Sequence, residues 1–192
     1  MKRTNFEDAS QDKIPNYNPF VILTNDPSMT GWGWVIVDAK KDKILEAGCI
    51  KTEPEHKKRR IRKSDDTTRR ASEIVLQLLR VIRKHDVSYI LTEAPHGSQN
   101  ASAAIMIGLC AGLLQGITDT LGIGIEWYSE QDSKKSILHK RSATKQEMID
   151  AIKEVYDVPW TGIKYRDEAI ADALAVYYTA CQLSSTLKLF KR

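Results

Sequence analysis

Three acidic residues occupy positions where an ordinary surface charge is not expected. Asp26 lies three residues after the end of a short apolar segment, 20–23, Glu93 follows a second apolar segment, and a proline comes soon after each. Asp172 interrupts an apolar helical segment, Ala-Ile-Ala-Asp-Ala-Leu-Ala-Val. A buried carboxylate is costly unless it is paired or binds a metal. Carboxylates from two strand ends and one helix are what two Mg²⁺ ions, with Mn²⁺ as a substitute, need for the hydrolysis of a phosphodiester.

Simpler explanations exist for two of these residues. The Asp26-Pro-Ser sequence is also a common turn sequence. Asp172 could form a salt bridge with a basic residue from another element, although its own i+3 and i+4 neighbours, Ala175 and Val176, carry no charge. The residues by themselves leave both alternatives open.

A fourth carboxylate is expected one helical turn before Asp172. At 3.6 residues per turn, Glu168 lies about 40° from Asp172 around the helix, whereas Asp167 lies about 140° away. Only Glu168 therefore shares a face with Asp172, and we assign it to the metal. Asp167 precedes the apolar segment, and we assign it to the N-terminal cap of the helix.

Length and composition describe a soluble globular protein with one main domain. The 192 residues are 42% hydrophobic and 28% charged, and the formal net charge of +4 is a mild basic bias that is compatible with nucleic acid. Three dispersed cysteines, Cys49, Cys110 and Cys181, indicate buried thiols in a reducing compartment. The first residues contain no apolar signal-peptide core. We therefore expect a cytoplasmic protein.

Other catalytic classes lack their motifs in this sequence. There is no nucleophile elbow, and the four histidines are scattered. The glycine-containing segment 108–116 lacks the Lys-Ser/Thr ending of a P-loop. These absences argue against Ser-His, Cys-His and P-loop phosphate chemistry.

A basic segment occupies residues 57–63, where six of the seven residues are Lys or Arg. The segment is either a solvated run of charge or a surface that contacts backbone phosphates, and we favour the second because of the acidic sites elsewhere in the chain. The predicted phosphate contacts in this segment are Lys57, Lys58, Arg59, Arg60, Arg62 and Lys63.

The apolar patterns predict five strands and four helices. Three closely spaced strands come first and should be antiparallel neighbours, and helices separate the later strands. The order β-β-β-α-β-α-β-α-α predicts an α/β fold, a five-stranded mixed sheet with helices on both faces and the ligand site at strand ends. The predicted strands are 20–23, 34–37, 43–51, 87–92 and 124–128, and the predicted helices are 67–85, 100–121, 144–156 and 168–183.

One of these helices is uncharged. Residues 100–118 carry no formal charge over nearly the length of a membrane span, but they include polar residues and three glycines. We therefore expect a buried helix and no membrane. Gly108, Gly112 and Gly116 recur every four residues, so they form a smooth ridge. The ridge is predicted to join two copies of the chain in a homodimer, and packing against the protein's own sheet is the alternative.

Four motifs, in this order, resemble those of the RuvC family of Holliday-junction resolvases, within the RNase H-like superfamily. Asp26-Pro-Ser-Met-Thr-Gly-Trp-Gly is similar to the family's first motif. Thr-Glu93, followed by Asn100-Ala-x-Ala-Ala-x-x-x-Gly, is similar to the second. Ser-Ala-Thr-Lys145 resembles the opening of the family's third helix, and Asp172-Ala-Leu-Ala resembles its closing motif. Together the motifs cover most of the chain.

The resemblance implies a metal-dependent endonuclease that acts as a symmetric dimer and nicks opposed strands of a four-way DNA junction. It implies Asp26, Glu93 and Asp172 as metal ligands. It also implies Lys134 and Lys145 near the scissile or a flanking phosphate, with Lys145 counted among the catalytic residues. Two solvated lysines are the alternative for this pair.

Two positions depart from the family pattern. His96 stands where the family often has a large aromatic residue that stacks at the junction, and Ala169 stands where it usually has an Asp. We count His96 and Asn100 among the predicted DNA contacts. The departures keep two other functions open: a nuclease for flaps, forks or three-way DNA, and a non-catalytic nucleic-acid-binding protein of the same fold.

The predicted domain organisation follows from the same resemblance. We expect a flexible arm at residues 1–18, an RNase H-like nuclease domain at 19–186 and a basic tail at 187–192. The arm and the basic segment exceed the compact bacterial form, which is compatible with a phage-encoded relative. The expected location is therefore the cytoplasm of a bacterium or of a phage-infected host.

Overall fold

The computed structural model describes residues 20–190 except 56, 57, 59, 60, 141 and 159. The arm predicted at 1–18 lies outside the described residues. The described chain forms a five-stranded sheet in the order β3-β2-β1-β4-β5, in which β1, β2 and β3 are antiparallel neighbours and β4 and β5 run parallel to β1. The predicted mixed sheet is confirmed. Its strands are β1 Val21–Asp26, β2 Gly31–Asp38, β3 Lys43–Lys51, β4 Tyr89–Glu93 and β5 Gly124–Tyr128.

Helices cover both faces of the sheet, as predicted. Side chains alternate between the faces because a strand has a two-residue period. Leu23 and Ile90 lie in the core beneath α1 and α2, whereas Ile22 and Leu91 lie in the core beneath α4 and α5. The helices are α1 Lys63–Lys84, α2 Ala101–Leu121, α3 Glu130–Leu138, α4 Lys145–Val155, α5 Lys164–Leu183 and α6 Ser185–Phe190.

Helix α5 lies directly on the first two strands. A Cβ added at Gly33 would lie 1.9 Å from the carbonyl oxygen of Ala169, so β2 needs a glycine at this close approach. On β1, the Thr24 hydroxyl donates a hydrogen bond of 2.7 Å to the carbonyl of Ala173. These two contacts hold the middle of α5, with Asp172 between them, over the end of β1.

The start of α5 corrects one sequence assignment. The helix begins one turn earlier than predicted, so Asp167 lies in its first turn and is not the N-cap residue. The carboxylate of Asp167 accepts hydrogen bonds from the backbone N–H groups of Thr161 and Gly162, at 2.8 and 3.0 Å. The assignment of Asp167 as the N-cap residue is therefore wrong, and its carboxylate instead stabilises the loop that precedes α5. Helix α1 also begins one turn earlier than predicted.

Two short helices were not predicted. Helix α3 begins after Ser129, which forms a capping box with Asp132, and this signal was present in the sequence. Helix α6 includes most of the residues assigned to the basic tail at 187–192. Leu187 is buried and Phe190 packs against the core, so both residues belong to the folded part of the chain.

Helix α2 is less buried than expected. Cys110, Leu114 and Ile117 pack in the core, but only 22% of its most apolar window is buried. By length and composition alone α2 could cross a membrane, yet a single such helix is weak evidence and its inner face lies on the sheet. The prediction of a buried helix is therefore correct for one face and wrong for the other.

Candidate active site

Two predicted carboxylates lie at the same edge of the sheet. Strands β1 and β4 are parallel neighbours, and Asn25 is opposite Thr92 in their register. Asp26 and Glu93 come next on each strand. The carboxyl ends of parallel strands meet at one edge, which is where α/β folds place ligands. Hydrogen bonding within the sheet is therefore what brings these residues together, although 66 residues separate the paired Asn25 side chain and Leu91 carbonyl in sequence.

A cavity of about 260 Å³ lies at this edge and contains the third carboxylate. Asp172 reaches it from α5, and Lys145 reaches it from the first position of α4. The sequence therefore predicted correctly that the three dispersed acidic residues share a neighbourhood. The residues lining the cavity are Asp26, Glu93, His96, Glu130, Ser133, Lys134, Lys145, Met148, Asp172 and Ala175.

The carboxylates in this cavity resist ionisation. Burial, and then the charges of Glu93 and Asp172, raise the pKa of Asp26 to about 8. Burial, and then the charges of Asp172 and Glu130, raise the pKa of Glu93 to about 7. Within the described chain, neither the Asp26 nor the Glu93 carboxylate has a hydrogen bond or salt bridge. The positive charge of Lys145 lowers both pKa values, but its effect is smaller than that of burial and of the neighbouring carboxylates.

Two lysines pair with the other carboxylates in the cavity. Lys145 Nζ lies 2.9 Å from Asp172, and Lys134 Nζ lies 2.7 Å from Glu130. The salt bridge considered as an alternative for Asp172 does exist, but its partner lies in the same cavity. Burial still raises the pKa of Asp172 despite the lowering effect of Lys145. Both lysines therefore line the cavity, although the Lys145 side chain is 58% exposed, and their role at a phosphate stays a prediction.

Glu168 does not line the cavity with the other carboxylates. It lines an adjacent cavity together with Asp167 and lies 3.9 Å from Lys164. Its charge nevertheless contributes to the raised pKa of Asp172. The role of Glu168 as a metal ligand remains a prediction.

The predicted DNA contacts are spread over several environments. His96 and Lys134 line the cavity, whereas the Asn100 side chain accepts the N-cap hydrogen bond of α2 from Ala103 at 3.1 Å. In the basic segment, Arg62 pairs with Asp65 at 2.8 Å. Lys58 and Lys63 are exposed, and positions 57, 59 and 60 lie outside the described residues.

Sequence reasoning missed four residues of the cavity. They are Glu130, Ser133, Met148 and Ala175, and the first two belong to the unpredicted helix α3. Glu130 comes two residues after the end of β5, a parallel neighbour of β4. An acidic residue soon after a third parallel strand was the signal that could have identified it.

The donor set fits a hard divalent cation. Carboxylate oxygens are the ligands that Mg²⁺ and Mn²⁺ prefer. Two buried carboxylates without a protein partner repel each other, and a cation between them would relieve this repulsion. Across the described ranges, no three His, Cys, Asp or Glu side chains already surround one point as ligands. The residues for a metal site therefore lie around the wall of one cavity without converging on a single point.

The comparison with protein families identifies the chain. The family model described as "Crossover junction endodeoxyribonuclease RuvC" matches residues 22–180. The chain belongs to the RuvC family. This family consists of metal-dependent nucleases, so the enzyme class predicted from the carboxylates is confirmed at that level.

Curated RuvC proteins align over most of their length. The chain is 26% identical to the Ehrlichia chaffeensis crossover junction endodeoxyribonuclease RuvC over 159 residues, which covers 82% of this chain and 96% of the relative. It is 24% identical to the Shewanella amazonensis protein of the same name over 161 residues, covering 83% and 87%. The family-model match to residues 22–180 includes all four RuvC-like motifs.

Solved structures show the same fold. Thermus thermophilus RuvC in complex with a Holliday junction substrate superposes with a TM-score of 0.65 at 16% identity, covering 86% of this chain and 97% of that one. The yeast mitochondrial Holliday junction resolvase superposes with a TM-score of 0.61 at 10% identity, covering 92% and 84%. The RuvC-type RNase H-like architecture predicted from the sequence is confirmed.

Proposed function

We propose that the protein resolves four-way DNA junctions by metal-dependent hydrolysis of one phosphodiester in each of two opposed strands. The observation that carries this proposal is the cavity of buried, mutually repelling carboxylates at the RuvC motif positions Asp26, Glu93 and Asp172. A binding protein without catalysis has no use for such a cluster, because buried like charges only destabilise the fold.

Asp26, Glu93 and Asp172 would hold two Mg²⁺ ions, with Mn²⁺ as a substitute. Bound there, the ions would supply an activated water and stabilise the leaving oxygen. Asp26 and Glu93 must lose their protons before they can act as ligands, and both have a raised pKa. Proton release from these two residues is therefore part of metal binding.

Lys145 and Lys134 act on the substrate side of the cavity. Each holds one carboxylate, and each ammonium group can transfer its hydrogen bonds to a DNA phosphate. Such a transfer frees the carboxylate of Asp172 at the moment the phosphate arrives. The lysines thereby place the phosphate beside the metal ligands.

The two opposed cuts require two sites related by a two-fold axis, which we assign to a homodimer. The ridge of Gly108, Gly112 and Gly116 is exposed, and a Cβ added at any of the three meets no atom within 4 Å. The alternative in which the ridge packs on the protein's own sheet is therefore excluded. An apolar groove of about 900 Å³ between α1 and α2 adjoins the ridge and continues the candidate seam.

A broader specificity for branched DNA is the second candidate. The specific observation is His96, which lines the cavity where the family often has a large aromatic residue. A smaller, polar ring stacks less strongly on an unpaired base than a large aromatic one does. Flaps, forks and three-way junctions would then compete with the four-way junction. The location in a bacterial or phage-infected cytoplasm stays a prediction.

Cleavage of synthetic DNA tests the function. Labelled four-way, three-way and linear substrates are incubated with the protein in Mg²⁺ and in chelator. We expect symmetric nicks in the four-way junction, only with Mg²⁺. Equal cutting of all branched substrates would select the broader nuclease, and binding without any cutting in Mg²⁺ or Mn²⁺ would select the non-catalytic protein.

Matched variants of the three ligands test the mechanism. Asp26→Asn, Glu93→Gln and Asp172→Asn should each lower cleavage by more than about 100-fold, because metal sites are more sensitive to their ligands than to outer residues. Junction binding in a gel-shift assay should change little, since Lys and Arg grip the phosphates. A variant that keeps near-normal turnover would remove that residue from the ligand set.

A further inference from the structure

The family's usual fourth carboxylate has no counterpart at its own position in this chain. That position is Ala169, which is buried, and its backbone packs against Gly33 of β2. Glu168, one residue earlier, lines the adjacent cavity. Of the acidic residues on α5 that the structure describes, only Asp172 lines the active-site cavity.

Glu130 brings a fourth carboxylate to the cavity from a different element. It is the first residue of α3, directly after the Ser129 cap that fixes where this helix begins. It lines the same cavity as Glu93 and Asp172, so it lies on one wall with two of the predicted ligands. One of its oxygens pairs with Lys134 at 2.7 Å, and the side chain is 57% exposed, so a hydrated cation can reach it from solvent.

A second feature of α3 points independently to a ligand on this side of the cavity. Ser133 lines the cavity and is only 4% exposed. Its Oγ is the one buried side-chain polar atom in the described chain that has no hydrogen-bond partner. Buried hydroxyl groups are nearly always satisfied by protein or water. An unsatisfied hydroxyl here indicates a place for a polar ligand, such as the water shell of a cation.

We propose that Glu130 is the fourth metal-binding carboxylate of this protein, contributed by α3 in place of the α5 position that Ala169 has lost. The proposal rests on the metal-dependent function proposed above. The charges in the cavity agree with it: the four carboxylates of Asp26, Glu93, Glu130 and Asp172 face two lysines, an excess of two negative charges when all are ionised. Lys134 then stands beside Glu130 as Lys145 stands beside Asp172.

Metal binding by the full chain tests the proposal without reference to turnover. Mn²⁺ is titrated into chelator-treated protein and followed by calorimetry and by electron paramagnetic resonance of the free ion. Glu130→Gln should weaken Mn²⁺ binding by at least about tenfold, the lower limit for residues that support a metal site. Glu168→Gln tests the competing carboxylate on α5. Glu154→Gln, which removes the same charge from an exposed position on α4 outside the cavity, is the matched control and should bind Mn²⁺ as the unchanged protein does.

The Lys134→Gln variant tests whether Glu130 is a metal ligand or only positions Lys134. If Glu130 binds metal, removal of the nearby ammonium should leave Mn²⁺ affinity equal or higher. If Glu130 only holds Lys134, the two variants should bind Mn²⁺ normally and lose the same amount of junction cleavage, which would overturn the proposal.

The remaining outcomes are equally decisive. Normal Mn²⁺ affinity in Glu130→Gln, or weaker affinity in Glu168→Gln alone, would return the fourth position to α5 and overturn the proposal while the nuclease function stands. An unchanged protein that binds no Mn²⁺ and cuts no junction would overturn both. A melting curve for each variant confirms that the proteins compared are folded.

Discussion

At the scale of single residues, Asp26 couples the site to the stability of the fold. Its pKa is about 8 in the folded chain against an ordinary value of 3.8, first because of burial and then because of Glu93 and Asp172. Between these two pH values the folded state binds more protons than the unfolded state. The free energy of unfolding must therefore fall as the pH rises from about 4 to about 8 when no cation is present.

Asp26→Asn should remove this penalty. In chelator at pH 8, we expect its melting temperature to exceed that of the unchanged protein by at least about 2 °C, since 1 kcal/mol corresponds to roughly 2–4 °C at this chain length. At pH 4 the two proteins should melt alike. Asp157→Asn, at an exposed position, serves as the control and should show no such pH-dependent gain. A lower melting temperature for Asp26→Asn at pH 8 would contradict the argument.

At the scale of elements, the proposed dimer seam lies on α2. One face of the helix lies in the core, while Ile105 on the other is 64% exposed beside the glycine ridge. Glycines spaced four apart let two backbones approach closely, and an added side chain prevents this approach. The open face of α2 therefore has the shape expected of a helix seam.

Gly112→Leu should dissociate the dimer without unfolding the chain. An added Cβ at this position meets nothing within the monomer, so the substitution is tolerated there. Sedimentation at micromolar concentration should show a shift from dimer to monomer, together with loss of paired nicking. Glu154→Leu, an exposed site on α4 beneath the opposite face of the sheet, is the control and should remain dimeric. An active, unchanged Gly112→Leu dimer would place the seam elsewhere.

At the scale of the whole molecule, we expect the uneven charge distribution to determine how the protein binds DNA. The net charge is only +4, yet the basic segment leads into the N-terminus of α1. Backbone contacts release counterions, so the logarithm of affinity should fall linearly with the logarithm of salt concentration, with a slope of about 0.9 per phosphate neutralised. The segment should therefore control binding strength and salt dependence but not the chemical step.

The triple variant Lys58→Gln, Arg62→Gln, Lys63→Gln tests this expectation in filter-binding assays at several salt concentrations. The salt slope should decrease by about 2–3, with the smallest share from Arg62, which already pairs with Asp65. Metal-dependent cleavage of saturated junction should be retained. An unchanged slope would show that the basic segment is a solvated run of charge that does not contact DNA phosphates.

The matched control removes three charges from the other end of the same helix. Arg80, Arg83 and Lys84 lie about 25 Å from the first turn of α1 at 1.5 Å per residue. Their replacement by Gln should leave the slope nearly as it was. An equal decrease in both triple variants would show that net charge, rather than the basic segment, governs binding.

The amino-acid sequence by itself determined the features that depend on neighbours along the chain. Apolar runs and the acidic residues that end them marked β1, β4 and their carboxylates, and the isolated Asp172 marked α5. Four RuvC-like motifs in order were enough to predict the family and the mixed sheet. The starts of α1 and α5 and the whole of α3 were not predicted. At α3 and α5, the side chains of Asp132 and Asp167 accept hydrogen bonds from backbone N–H groups several residues earlier in the chain.

Only the tertiary structure decided which charges share the cavity. The angular positions around the helix predicted that Glu168 lies beside Asp172. The close packing of α5 on Gly33, however, determines which part of that helix face lines the active-site cavity. Glu130 joined the cavity through the register between β4 and β5, which no local pattern records. The same holds for α2, whose composition predicts burial on every side. How much of an apolar helix is buried depends on what packs against it, and here one face of α2 packs on the sheet while the other is exposed.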